Sequence, residues 1–247
     1  IMANPVREER LQKIRTQRLA HLGTLLAGFA HEVRNPLSTI GLNLQLVLED
    51  FREAESTRDK RTHKRLSTVE GEVRRLQTIL EEFLSYARAP EPKVQLVSLN
   101  QKIQALIDFQ DLEMKEANLS LRFYPGVDVK GVACDWDQVQ AAVGNLVRNA
   151  KDATPSGGQI FVSTQRDGEF VTINVTDTGA GIAAQEIDRV LEPYFSTKKG
   201  GTGLGLPTVR RVAEDHGGSL TMQSEPGKGT QFSLRIPVRG HEQTAET

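Results

Sequence analysis

The chain of 247 residues contains a single cysteine, Cys134. That excludes an internal disulfide and suits a reducing compartment. It has no run of about 18 apolar residues, the length that a membrane-spanning helix needs, and its start, Ile1-Met2-Ala3-Asn4-Pro5, lacks the charged and apolar regions of a signal peptide. A soluble, cytoplasmic fragment with no membrane contact of its own is expected, whether or not the full-length protein is anchored. Neither sign of charge is in excess: 31 Lys and Arg stand against 32 Asp and Glu, for a net charge of −1. That balance gives no reason to expect nucleic-acid binding or a polybasic membrane anchor. Internal repeats and low-complexity segments are missing too. The length allows one large domain or two small ones.

What is present is organised around a histidine and a carboxylate, His31-Glu32, inside a helical pattern. Leu22, Leu26, Phe29, Val33, Leu37, Ile40, Leu44, Val47 and Phe51 recur at steps of three and four, the period of a buried helical stripe. His31 lies two positions from both Phe29 and Val33, so at about 100° per residue it falls on the opposite side of the helix. Pro36 removes an N–H and crowds the carbonyl of Glu32, which predicts a bend beside the histidine. A plain surface histidine is the competing reading. A zinc site is set aside, because the second histidine it needs is replaced by Asn35.

The pattern predicts a first helix from near Pro5 to Phe51, with a highly charged lead-in over residues 7–18. A solvated turn is expected over Arg52 to Lys64. A second stripe follows through Leu66, Val69, Val73, Leu76, Leu80, Phe83 and Ala87, with a period suited to left-handed bundle packing. Ala89-Pro90-Glu91-Pro92 ends it and marks a domain boundary. One hairpin offers only two stripes and a closed core needs about four helices, so a homodimeric four-helix bundle is predicted.

Beyond the prolines the pattern changes to alternating strands and helices, the mark of an α/β layer structure. Strands are predicted over Val94 to Leu99, Leu119 to Tyr124 and Val129 to Ala133, and helices over Asn100 to Ala117, capped by Asn100, and over Asp135 to Ala153. A hairpin about Asp167-Gly168 joins Gln159–Arg166 to Phe170–Asp177. Helices near Glu186 to Leu191 and Gly203 to His216 and strands over Ser219 to Ser224 and Gln231 to Val238 complete it. His216, ahead of Gly217-Gly218, reads as a helix C-terminal residue with no chemistry. The domain expectation is 1–92, 93–239 and a disordered tail over 240–247.

Five short motifs lie in this second part. Asn145 and Asn149 are four apart and share a helix face; Asp177-Thr178-Gly179-Ala180-Gly181 ends a strand. Pro193-Tyr194-Phe195-Ser196-Thr197-Lys198 precedes Gly201-Thr202-Gly203-Leu204-Gly205-Leu206, and Gly227-Lys228-Gly229-Thr230 leads into the last strand. Each is weak alone. In this order, and after Phe29-Ala30-His31-Glu32-Val33-Arg34-Asn35-Pro36-Leu37, they resemble the phosphoacceptor box and the Bergerat ATP-binding boxes of sensor histidine kinases of two-component signalling. The resemblance spans nearly the whole chain.

The resemblance implies an ATP- and Mg²⁺-dependent protein histidine kinase. Its phosphoryl group would go to His31 with Glu32 as hydrogen-bond or proton acceptor, and then to an aspartate on the receiver domain of a response regulator. Asn149 would bind the metal with Asn145 assisting, as an amide oxygen suits Mg²⁺. Asp177 would accept from the adenine amino group, and Gly179 and Gly181 would admit the base. Gly201, Gly203 and Gly205, with Thr202, Leu204 and Leu206 around them, would face the phosphates at a helix N-terminus. Thr230 joins the nucleotide set. Residues 183–200 would form a lid packed down by Phe195. Many members carry a lysine where this chain has Asp152, as in the nitrogen-regulation-like branch, so Lys198, Lys199 or Arg148 must neutralise phosphate, with Lys198 preferred. Asn35, one turn from His31, resembles the water-positioning residue of members that also dephosphorylate their regulator. Sensor kinases usually carry an upstream sensory domain, which this fragment would lack. A Bergerat-type ATP-driven conformational clamp and a non-catalytic dimeric scaffold are the alternatives; neither explains an exposed His-Glu pair on a dimerising hairpin.

Overall fold

The computed structural model describes residues 33–51, 56–87, 91–129, 131–198 and 201–239. His31, Glu32, the lead-in, most of the first helix, the bend beside His31, Lys199 and the 240–247 tail therefore lie outside the described residues. The chain divides into two compact units, Ile1–Pro90 and Glu91–Thr247.

The first unit is a helical hairpin of α1 (residues 33–50) and α2 (Thr57–Ala87). The two helices run antiparallel: Arg34 Nε lies 3.9 Å from Glu81 Oε1, Gln77 Nε2 donates to Ser38 Oγ at 3.5 Å, and a Cβ on Gly41 would sit 3.7 Å from Val73. The solvated turn predicted to Lys64 is shorter than expected. Ser56 Oγ accepts from the Asp59 N–H at 3.1 Å and donates to Asp59 Oδ2 at 2.7 Å, so a Ser-x-x-Asp cap starts the helix at Thr57. The predicted stripe of α2 also divides. Of its members Val73 and Ala87 are buried, whereas Val69 and Leu76 are 48% and 49% exposed.

The second unit is a two-layer α/β sandwich. Its five-stranded sheet has the order β2 (Ser120–Tyr124), β4 (Gln159–Asp167), β5 (Phe170–Asp177), β7 (Gly229–Pro237), β6 (Ser219–Glu225), parallel at β2–β4 and antiparallel elsewhere. The short strands β1 (Gln95–Ser98) and β3 (Gly131–Cys134) pair separately, antiparallel. Strict alternation along β5 sends Val171, Ile173 and Val175 into the core while Thr172, Asn174 and Thr176 face away. Helices α3 (Leu99–Glu116), α4 (Trp136–Ala153) and α5 (Gly205–Asp215) cover the apolar face, and α4 buries Val139, Val143, Leu146, Val147 and Ala150 against it.

Two elements differ from the sequence reading. Asn100 does not cap α3: Ser98 precedes the helix, and the Asn100 amide donates to Gly126 O and Val129 O and accepts from Thr164 Oγ1 at 2.7 Å. The buried Thr164 hydroxyl and two loop carbonyls needed partners, and the amide supplies them. Residues 186–191 form no helix. They make successive turns, with Glu186 N–H to Ala183 O and Arg189 N–H to Glu186 O, because so short a segment lacks the propagation that offsets helix nucleation.

His216 ends α5 as expected, with Gly217 following at φ +74°. It does more. Its buried ring places Nδ1 2.7 Å from Val212 O and Nε2 3.0 Å from the Asp135 N–H. Only the tautomer with the proton on Nδ1 satisfies both bonds, which tie the end of α5 to the start of α4.

Candidate nucleotide site

Asp177 is the last residue of β5 and continues the inward register of Val171, Ile173 and Val175, so the strand itself carries a carboxylate to the core face. It is 4% exposed. Its Oδ1 accepts from the Gly179 N–H at 2.8 Å and the Thr230 N–H at 3.2 Å. Burial raises its pKa above the ordinary carboxylate value, and those two N–H bonds and the Lys198 charge oppose the rise. The carboxylate is thus oriented by backbone through one oxygen, with the other left for a donor group.

The glycines after Asp177 are required by the protein's own backbone. A Cβ on Gly179 would come within 2.4 Å of Ala153 O, and one on Gly181, at φ +70°, would meet Glu225 O. Ala180 N–H donates to Ala153 O at 3.1 Å and Gly227 N–H to Ala180 O at 2.8 Å, so this loop is stitched to the end of α4 and to the β6–β7 turn. Ser224 was not singled out from the sequence, yet its Oγ accepts from the Ile182 N–H at 2.8 Å and lies 2.8 Å from Thr230 Oγ1. Only the strand register that pairs Ser224 with Thr230 reveals it.

On α4, Asn145, Asn149 and Asp152 form one ridge beside the buried stripe. Asn145 and Asn149 are half-buried and Asp152 is exposed. The ridge faces the start of α5, where a Cβ on Gly205 would lie 3.9 Å from Asn149 Nδ2. No side chain caps α5, so its first N–H groups keep their capacity for an anion. Gly203, at φ +67°, lets the loop before α5 meet the segment before it: Tyr194 N–H donates to Gly203 O at 3.1 Å, and a Cβ on Gly203 would strike Phe195. A Cβ on Gly201 would strike Ser196 Oγ. Thr202 Oγ1 accepts from the Leu204 N–H, Leu204 is buried, and Leu206 packs on the core. Phe195 lies under the Arg189 guanidinium, 4.2 Å from ring centroid to Cζ.

Lys198 reaches across to the α4 ridge. Its Nζ donates to Asp152 Oδ2 at 2.9 Å, to Asn149 Oδ1 at 3.3 Å and to Asn149 O at 3.5 Å. Arg148, the other described candidate cation, is exposed on α4. A pocket of about 310 Å³ opens at the same end of the sheet; of the residues above it takes in Asp177, Ser224, Glu225 and Thr230, and its other walls are Thr176, Gln223, Lys228, Gly229 and Gln231. The asparagine ridge and the Gly201–Gly205 loop lie outside it.

Two family models match the chain. The His Kinase A (phospho-acceptor) domain covers residues 21–92, and the Histidine kinase-, DNA gyrase B-, and HSP90-like ATPase covers residues 134–240. The chain belongs to the sensor histidine kinases. Within that family it is 34% identical over 224 residues to the sensor histidine kinase ZraS of Escherichia coli (strain K12), a match that takes 91% of this chain and 47% of that protein. The chain thus spans about half the length of the curated relatives it matches. Among solved structures, the catalytic domain of histidine kinase ThkA is 27% identical with a TM-score of 0.55, covering 60% of this chain and 97% of that one. ThkA in complex with the response regulator protein TrrA is 24% identical with a TM-score of 0.66, covering 96% and 68% respectively, and shares the fold. Asn35 is exposed on α1, and its carbonyl accepts from Thr39 Oγ1 at 3.1 Å.

Proposed function

We propose that this chain is the core of an ATP-dependent protein histidine kinase that phosphorylates its own His31 and passes the phosphoryl group to an aspartate of a response-regulator receiver domain. The observation that carries this is the convergence of Asp177, the Asn145–Asn149–Asp152 ridge, Lys198 and the uncapped start of α5 within one unit of a chain whose residues 21–92 match a phosphoacceptor domain. The ThkA structure with its regulator supports the choice of partner.

In this reading Asp177 Oδ2 accepts from the adenine amino group, while Oδ1 stays fixed by Gly179 and Thr230. The phosphates lie at the Gly201–Gly205 loop, with Thr202, Leu204 and Leu206 shaping it and Phe195 anchoring the lid. The donor set suits Mg²⁺. Asn149 Oδ1 already holds a cation in the form of the Lys198 ammonium, and among the described residues no cluster of acids, cysteines or histidines offers a dedicated cage. An ion that keeps waters and phosphates as ligands needs no such cage. Asn149 would hold it with Asn145 assisting, and bound Mg²⁺ would neutralise phosphate charge.

The chemistry is in-line transfer of the γ-phosphoryl group, which rests on positioning and charge stabilisation. His31 Nε2 forms the new N–P bond, the γ-phosphorus–oxygen bond breaks to leave ADP, and Glu32 takes the imidazole proton. A neutral imidazole is required, and with a reference pKa of about 6.5 it dominates at neutral pH. Labelled ATP with Mg²⁺ should give an acid-labile, base-stable phosphoramidate in the chain, lost in His31→Ala. Glu32→Gln should slow the reaction by about 10²- to 10⁴-fold. Label retained in His31→Ala would overturn the assignment.

A further inference from the structure

We propose that Asp152 is a latch for the segment before Gly201, and that the oxygens of α4 hold the Lys198 ammonium and the nucleotide's Mg²⁺ in alternation. The inference rests on the nucleotide reading above. A lysine ammonium has three N–H donors and no acceptor. Here all three have an oxygen within reach: Asp152 Oδ2, Asn149 Oδ1 and Asn149 O. The carboxylate supplies the charge for this pairing, and the Asn149 amide oxygen is the same atom that an amide-ligated metal would use. One oxygen cannot face an ammonium and a divalent cation at once without strong repulsion. Binding of Mg²⁺ on Asn149 must therefore eject Lys198, which is then free to turn to phosphate.

The position three residues after Asn149 thereby acquires a role. Asp152 cannot neutralise phosphate, being an anion itself. It positions the cation that can, and it ties residues 194–198 to α4 while no nucleotide is bound. Latch strength is modest, because the two side chains are 39% and 47% exposed and exposed ion pairs are screened by solvent. A latch of that strength is reversible, as an exchange with Mg²⁺ demands. If the latched form excludes the metal, the apparent Mg²⁺ affinity is lowered by the fraction of time that the lid is open. Lid cleavage by a protease is lowered by the same fraction when opening is faster than cutting.

The two measurements are therefore linked. In the nucleotide-free full chain, chymotryptic cleavage after Tyr194 or Phe195 should rise about twofold to fivefold in Asp152→Asn and in Lys198→Met, as expected for loss of an exposed ion pair. The charge swap Asp152→Lys with Lys198→Asp should return it toward the wild-type rate. In calorimetric titrations of ADP, the Mg²⁺ midpoint of Asp152→Asn, which keeps the Lys198 cation for phosphate, should fall by the same factor as its cleavage rises. Unchanged cleavage in both single variants would overturn the latch. ADP·Mg binding with an unmoved midpoint would overturn the exchange alone, whereas a wild-type chain that binds no ADP would remove the exchange and the nucleotide reading together.

Discussion

Asp177 sets the proposed adenine contact against stability at the scale of one side chain. Its folded-state pKa is raised from 3.8, first of all by burial. The folded state therefore keeps its proton to a higher pH than the unfolded chain does. Stability falls as pH rises from that ordinary value through the raised one, and the charged carboxylate remains a cost at neutral pH. Asp177→Asn keeps an oxygen for the Gly179 and Thr230 N–H groups and cannot ionise. Its melting temperature at neutral pH should equal or exceed that of the wild type, with the difference vanishing at acid pH. The same variant should weaken ADP binding roughly ten- to a hundredfold, since an N–H would face the adenine amino group. Asn35 separates two activities at the same scale. Asn35→Ala should leave His31 phosphorylation nearly intact while lengthening the life of the regulator's phosphate in the presence of ADP. If both activities fall together, Asn35 does not position water.

Among whole elements, the hairpin has an unfinished face. Its antiparallel register, read from Arg34–Glu81, Ser38–Gln77 and Gly41–Val73, puts Ile40 level with Leu76 and Val47 level with Val69. Each precedes by one residue a position turned toward the partner helix, so all four project from the same side. They are 47%, 49%, 38% and 48% exposed. A second copy related by a twofold axis would bury both levels and close a four-helix core. Ile40→Asp or Leu76→Asp removes one apolar side chain from each copy, at roughly 1.5–3 kcal/mol apiece. Sedimentation at micromolar concentration should give a dimer for the parent chain and a monomer for either variant, with Asn43→Asp as an unaffected control.

For the molecule as a whole, all the residues proposed to hold nucleotide fall in the unit Glu91–Thr247. That unit has its own core between the sheet and α3, α4 and α5, with Leu99, Leu146, Ile160, Ile173 and Leu234 all fully buried. Residues 91–247 expressed alone should unfold cooperatively and bind ADP·Mg²⁺ with the affinity of the longer chain. A fragment without a cooperative transition would show that the hairpin is needed for folding. Cys134 belongs to the same core, and burial with the Asp135 charge pushes its thiol up to about 11, which removes it from thiolate chemistry at neutral pH.

Much of this was legible in the chain. The period of three and four located both helices of the hairpin, alternation located β4 and β5 and put Asp177 on the inward face, and the order of short glycine and asparagine motifs pointed to the family. Those signals are local, because each depends on residues a few positions apart. The Ser56-x-x-Asp59 cap that marks where α2 begins is hidden by the charged run from Arg52 to Lys64, whose lack of apolar spacing predicts a turn instead. Tertiary structure alone decided what joins distant segments: Asn100 to the Gly126 loop, His216 to Asp135, Ser224 to Ile182, and Lys198 to Asp152 across 46 residues. It also decided why Gly179 and Gly181 are glycines, since the atoms that leave no room for a Cβ belong to Ala153 and Glu225. Sequence spacing fixes which side of its own helix or strand a residue occupies. Which other segment comes to lie against that side depends on sheet order and register, and these are settled only when the core closes.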